Sequence, residues 1–176
     1  MLKLYKEQDG ELLYWEAWED GREIIIHFGV VGDRGESMVA PLPEFEPPMS
    51  AIEQHAHEAR MAGFFERRPE DLFELVIRYE LPGRESANDV QRAYAIEELM
   101  DETLGWTGNG YCEGNDISDG AMRLYCFVVE PHIAGRTIVE ELRGADFLDG
   151  AVVAFQDRDE SFIVLWPLDN KKAFEF

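Results

Sequence analysis

The run REIIIHFGVVG at 22–32 constrains this chain more than any other feature. Three isoleucines followed by a histidine and a phenylalanine favour a half-buried strand over a helix. Glycines then recur at 29, 32 and 35, where they permit turns or bulges that other residues would strain. Upstream, Asp9-Gly10 and the EDGRE segment at 19–23 sit between β-prone runs and read as hairpin turns. The N-terminal part is therefore expected to be an antiparallel sheet.

Downstream, VAPLPEFEPPMS at 39–50 holds four prolines and reads as extended and loop-like. Ser50 and Glu53 have the spacing of a capping box, and Gly63 supplies a stop, which predicts a helix near 51–62. DLFELVIRYEL at 71–81 predicts a strand or extended segment. The polar, Pro/Gly-containing 82–89 is the expected boundary, between a domain at 1–81 and a second at 88–176.

The second half predicts a helix capped by Asn88, with Gln91 three residues on, and ended by Gly105. Its helically spaced residues are Val90, Ala93, Tyr94, Glu97 and Leu104. A glycine-rich connector at 106–120 leads to a strand, AMRLYCFVVE, whose two faces are both apolar enough to be covered. Pro131 suits the first turn of a third helix ending near Gly144, and AVVAFQ and SFIVLW flank DRDE as a hairpin. The resulting order is β-α-β-α-β-β, or α-β-α-β-β if 71–81 belongs upstream. Either suggests a small α/β sandwich of ferredoxin-like type.

The stretch FGVVGDRGE, Phe28 to Glu36, resembles the core motif of the WGR domain family, named for a Trp-Gly-Arg step. Phe28 stands at the Trp position, and Gly29, Val31, Gly32 and Gly35 match. Val30 replaces the Arg, and Glu36 replaces a Gln. The preceding LYKEQDGELLYWEAWEDG and the capped helix with AGF at 62–64 extend the likeness over about the first 65–80 residues. The resemblance implies a WGR-like sheet with one helix. In the family's poly(ADP-ribose) polymerases the domain packs on other domains and contacts broken DNA through that Arg and nearby basic and aromatic residues. Here Val30 can pair with neither phosphate nor carboxylate, and Arg34 is the one cation of the stretch, beside Asp33 and Glu36.

Charge bears on the same question. The chain has 37 acidic and 16 basic residues, a formal net charge of −21, with both halves acidic. Such a balance disfavours non-specific contact with nucleic acid or anionic lipid. Two cysteines, Cys112 and Cys126, make no disulfide framework, the N-terminus lacks a signal-like apolar run, and no segment reaches the roughly 18 apolar residues of a membrane helix. A cytoplasmic protein that does not engage membranes is expected.

Catalytic and metal signatures are missing. GNGYCEGNDISDG at 108–120 has neither the ligand spacing of a calcium loop nor the Lys-Ser/Thr ending of a P-loop. It reads as a turn-rich, bulged strand entry, or as a binding rim made of Asn109, Glu113, Asn115, Asp116 and Asp119. His55 and His57 lie about 200° apart on a helix and cannot share a metal. His27 and His132 look isolated, as solvated or capping residues. Tyr14, Trp15 and Trp18 are expected to pack the first sheet. No catalytic residue, metal or cofactor is expected.

The combined expectation is an α+β chain that is not an enzyme. It would bind a protein partner with a basic surface, in the manner of an immunity or inhibitor protein. The alternative is a divergent WGR-type nucleic-acid module, which would require Arg22, Arg34, Arg60, Arg67 and Arg68 to converge. The signature turn (Phe28, Gly29, Val31, Gly32, Arg34, Gly35) is the candidate site in the first domain.

Overall fold

The computed structural model describes residues 1–83 and 86–168. Over these residues the fold is mixed α+β, with two antiparallel sheets, three α-helices and one short 3-10 turn. It divides into two compact units: Met1–Pro69 together with Trp106–Gly108, and Glu70–Gly105 together with the residues from Asn109 onward.

The first unit holds β1 (Leu2–Gln8), β2 (Glu11–Asp20), β3 (Glu23–Val30) and β4 (Glu36–Pro41), paired in sequence order. Both expected hairpins form. Asp9 and Gly10 take positive φ between Gln8 and its partner Glu11, and Gly21 takes positive φ between Asp20 and Glu23. Leu4, Trp15, Ala17, Ile24 and Ile26 cover one face and pack against Ala51, Ile52, Ala56 and Ala59 of α1 (Pro48–Met61). The expected capping box does not form. The helix begins three residues early, with Pro47 as N-cap and a proline in its first turn, so Ser50 is already inside it and its hydroxyl donates to Glu46 at 3.0 Å. Gly63, at φ 97°, ends the helix as expected.

The second unit runs β5 (Phe73–Glu80), α2 (Ala87–Trp106), β6 (Gly110–Ser118), β7 (Ala121–Val128), α3 (Pro131–Gly144), β8 (Ala151–Gln156) and β9 (Phe162–Trp166). Its sheet order is β6-β7-β5-β8-β9, antiparallel throughout. Two corrections follow. The strand at 71–81 does not close the N-terminal domain: β5 pairs with β7 on one side and β8 on the other, so the first unit ends near Pro69. A boundary at 82–89 falls inside the second unit, with Arg84 and Glu85 outside the described residues; so are 169–176 of the expected second domain. The connector at 106–120 is also mostly a strand, β6, making the order β-α-β-β-α-β-β.

Residues of β5, β7 and β8 (Leu75, Ile77, Met122, Leu124, Val128, Val153) share one core with Ala93, Ile96, Met100 and Leu104 of α2 and Ala134, Ile138 and Leu142 of α3. Tyr94, expected on the apolar stripe of α2, is exposed instead. Ser86, rather than Asn88, makes the reciprocal cap of α2. Its backbone N–H donates to the Asp89 carboxylate at 2.9 Å, while the Asp89 N–H donates to the Ser86 hydroxyl at 3.3 Å. On β7, Met122, Leu124, Cys126 and Val128 are buried, whereas Tyr125 and Phe127 on the other face are half-buried. Cys112 and Cys126 are buried, free, and partners across β6 and β7.

Candidate functional site

The signature turn is built around Tyr14. This residue lies opposite Gly29 on β3 and is fully buried. The N–H of Gly35 donates to Tyr14 Oη at 2.9 Å, folding the 31–35 turn back over the ring. A β-carbon on Gly29 would stand 2.9 Å from Gly35 Cα and 3.2 Å from the Tyr14 ring. One on Gly35 would come under 3.0 Å from the Phe28 carbonyl and Tyr14 Oη. Gly32 takes φ 99° and donates its N–H to Thr107 O at 2.8 Å, while Val31 is buried and donates to Leu12 O at 2.8 Å. Phe28 packs against the α1-side core. Of the signature residues, Arg34 alone presents a charge, and it is exposed.

Beneath the turn runs a buried polar chain. Lys3 Nζ lies 3.0 Å from Glu16 Oε2, Glu16 Oε1 lies 2.8 Å from His27 Nδ1, and His27 Nε2 lies 3.1 Å from Tyr14 Oη. Glu16, His27 and Tyr14 are 4%, 1% and 0% exposed. Aromatic edges enclose the imidazole, with Trp106 centred 5.0 Å away and Trp18 at 6.3 Å. His27 is therefore neither solvated nor a cap, contrary to expectation. An imidazole that donates from Nδ1 to Glu16 can accept the phenol proton at Nε2, which satisfies all three buried groups at once.

Carboxylate, imidazole and hydroxyl in series is the order of a nucleophilic triad. Its hydroxyl end is sealed here. Tyr14 Oη has no open side, and burial pushes its ionisation up to about 12. The hydrogen bonds of this series hold the turn in place.

The second unit scatters the expected rim. Asn109 is fully buried, with its Oδ1 accepting from the Glu130 N–H at 2.9 Å and its Nδ2 donating to Glu130 O at 3.2 Å. Glu113 is exposed at the bulge between Cys112 and Gly114. Asn115 donates to Glu97, Asp116 faces Arg123 at 3.6 Å, and Asp119 sits at φ 52° in the turn between β6 and β7. Asn109 and Asp119 flank the nine residues of β6, so they lie roughly 30 Å apart. Three residues along β6 and two beyond its ends, one of them fully buried, do not make a common rim.

Among the described residues, no group of three or more His, Cys, Asp or Glu side chains could hold a metal ion, and no helix is long and apolar enough to cross a membrane. Comparison with protein-family models, curated proteins and solved structures finds no match.

Proposed function

We propose that this chain is a non-catalytic, acidic binding protein that acts through contact with a protein partner presenting a basic surface, in the manner of an immunity or inhibitor protein. One observation carries the reading: the arginines that a nucleic-acid interface would need do not converge. Arg22 and Arg34 sit beyond opposite ends of the eight-residue β3, about 25 Å apart. Arg60 is held by Glu53 and by Glu66 at 2.8 Å, Arg67 meets Glu7 at 3.4 Å, and Arg68 is engaged as well. With those cations matched to neighbours, the excess of 37 acidic over 16 basic residues is left to dominate the field.

The WGR resemblance fits this reading as a scaffold. Gly29, Gly32 and Gly35 serve backbone geometry, and Val30 stands where the family's Arg would act. A ferredoxin-like second unit is supported by the β-α-β-β-α-β order of β5 to β8 and their β6-β7-β5-β8 arrangement.

The test is fluorescence anisotropy at low salt with nicked DNA, single-stranded DNA and a small lysine-rich protein as separate probes. The expected result is no change with either DNA and saturable, salt-sensitive binding of the basic protein. Saturable DNA binding would overturn the reading in favour of a nucleic-acid module.

A further inference from the structure

The two edges of the first sheet are treated differently. On β1, Tyr5 exchanges both backbone hydrogen bonds with Phe65, at 2.8 and 2.9 Å, so chain from this same unit covers the middle of that edge. On the far side the sheet ends at β4, and no strand among the described residues pairs with its outer side.

The register decides which groups β4 leaves outward. The Leu42 N–H donates to Arg22 O at 2.9 Å, and Ala40 lies opposite Ile24. Antiparallel alternation then turns the peptide groups of Ala40, Met38 and Glu36 toward β3, and those of Ser37 and Val39 away from it. Pro41, the next outward position, has no N–H to offer. The open edge is therefore a short ladder of two residues, each with a donor and an acceptor. Its side chains are also open: Met38 and Val39 are each 58% exposed. Devices that blunt an edge are present only at the strand's ends, as Glu36 and Pro41.

Charge selects the occupant. Glu23 lies opposite Pro41, Glu44 and Glu46 follow in the next loop, and Asp33 and Glu36 lie at the other end. Arg22 and Arg34 are the cations of the same neighbourhood. A second copy would bring the same sign and another −21. A strand flanked by lysine or arginine meets opposite charge at both ends.

We propose that the outer edge of β4 accepts an extended segment of a basic protein partner as a fifth strand. It would be hydrogen-bonded to the backbones of Ser37 and Val39, with flanking lysines or arginines set against the carboxylates at the strand's ends. This rests on the binding function proposed above, and assigns that function a surface and a mode of recognition.

The experiment compares wild type with Val39→Pro. Proline removes one outward N–H and projects its ring into the partner's path, while the inward bonds of Met38 and Ala40 remain. The probes are a labelled set of lysine-flanked peptides with alternating valine and threonine, and the same set with glutamate flanks. Wild type is expected to bind the lysine set, to ignore the glutamate set, and to gain hydrogen-exchange protection at Ser37 and Val39. Val39→Pro should bind roughly tenfold more weakly or worse. Val39→Lys keeps the backbone donor and adds a like charge; it should weaken binding several-fold without threatening the strand. Equal binding by wild type and both variants would overturn the edge assignment while leaving the acidic-binder reading intact. No binding to any lysine-flanked member at low salt would overturn both. A wild-type dimer that Val39→Pro dissolves would give the edge to a second copy and overturn the basic occupant.

Discussion

Glu16 and His27 stand directly opposite each other on β2 and β3, with Oε1 2.8 Å from Nδ1 and both side chains buried. Glu16 also serves Lys3, so one carboxylate satisfies two donors. Removing it leaves an ammonium and an imidazole without their acceptor. Glu16→Ala is expected to destabilise the protein by about 3 kcal/mol. Glu16→Gln, which keeps a neutral acceptor for His27, should lose about half of that. The measurement is the urea midpoint followed by tryptophan fluorescence, since Trp15, Trp18 and Trp106 all belong to the first unit. An unchanged midpoint would mean that the buried chain contributes nothing net.

The glycines of the signature turn should differ in sensitivity. At Gly35 an added methyl meets the Phe28 carbonyl, which is backbone and cannot swing aside, as well as Tyr14 Oη. At Gly29 the closest approach, Gly35 Cα at 2.9 Å, is also backbone but lies farther off than the Phe28 carbonyl does at Gly35, and the Tyr14 ring and hydroxyl follow at 3.2 and 3.3 Å, both tight. Gly35→Ala is expected to cost about 3 kcal/mol and Gly29→Ala about 1 kcal/mol. Tyr14→Phe in the Gly35→Ala background should recover part of the loss, because one of the two obstructions is its hydroxyl. A double-mutant cycle on thermal unfolding reads that coupling; a coupling of zero would separate the turn from Tyr14.

Alkaline pH should unfold the chain sooner than its composition suggests. Burial pushes the phenols of Tyr14 and Tyr79 from 10.0 up to about 12, and raises Tyr5 further. In the unfolded chain these groups ionise near 10, whereas the folded chain keeps its protons to about 12. Between those values the unfolded state binds fewer protons, so stability falls as pH rises. The stabilisation is fully present below 10 and is lost through the folded value near 12, on the order of 2 kcal/mol for Tyr14 alone. Thermal melting against pH, with tyrosinate absorbance alongside, is the check. Tyr14→Phe should flatten part of the decline; a flat profile in wild type would show these phenols to be less protected than their burial implies.

Much of the first sheet was legible because its signals are local. Gly10 and Gly21 mark two-residue turns, and the β-branched 24–26 run leaves few alternatives to a strand. The buried chain was legible too, by one further step. A turn that sets Asp20 opposite Glu23 also sets Glu16 opposite His27 and Tyr14 opposite Gly29. Reading His27 as isolated overlooked that register. Trp106 could not be found this way, because nothing local says that a residue at the end of α2 clusters with His27 and Trp18, 79 and 88 positions earlier. The misplacement of β5 has the same origin: its apolar run forms a strand anywhere, and only pairing with β7 and β8 assigns it to a sheet. In 108–120 the bulged strand entry read from the sequence is present, but the strand takes up most of the stretch. Gly110 sits in the ladder, where a β-carbon would collide with Phe127 O, and Gly114 follows the bulge, so neither marks a loop.

Asn109 separates a structural role from a binding one. Its side chain closes a two-bond ring with the backbone of Glu130, just before α3. Its own backbone accepts from Val129 N–H at 2.9 Å and donates to Leu104 O at 3.0 Å. All of these groups belong to the second unit, and the side chain has no exposure with which to meet a partner. Asn109→Ala would leave the partly buried Glu130 N–H without its acceptor, while the Glu130 C=O keeps the Ala134 N–H at 2.9 Å, and is expected to destabilise by about 1 kcal/mol. Glu113→Ala, at an exposed bulge, should leave stability within about 0.5 kcal/mol of wild type. Binding of the lysine-rich protein should be unchanged in Asn109→Ala at temperatures where the variant stays folded. A stable Asn109→Ala with weakened binding would instead return this residue to a recognition surface, and would require the 109–110 segment to open in solution.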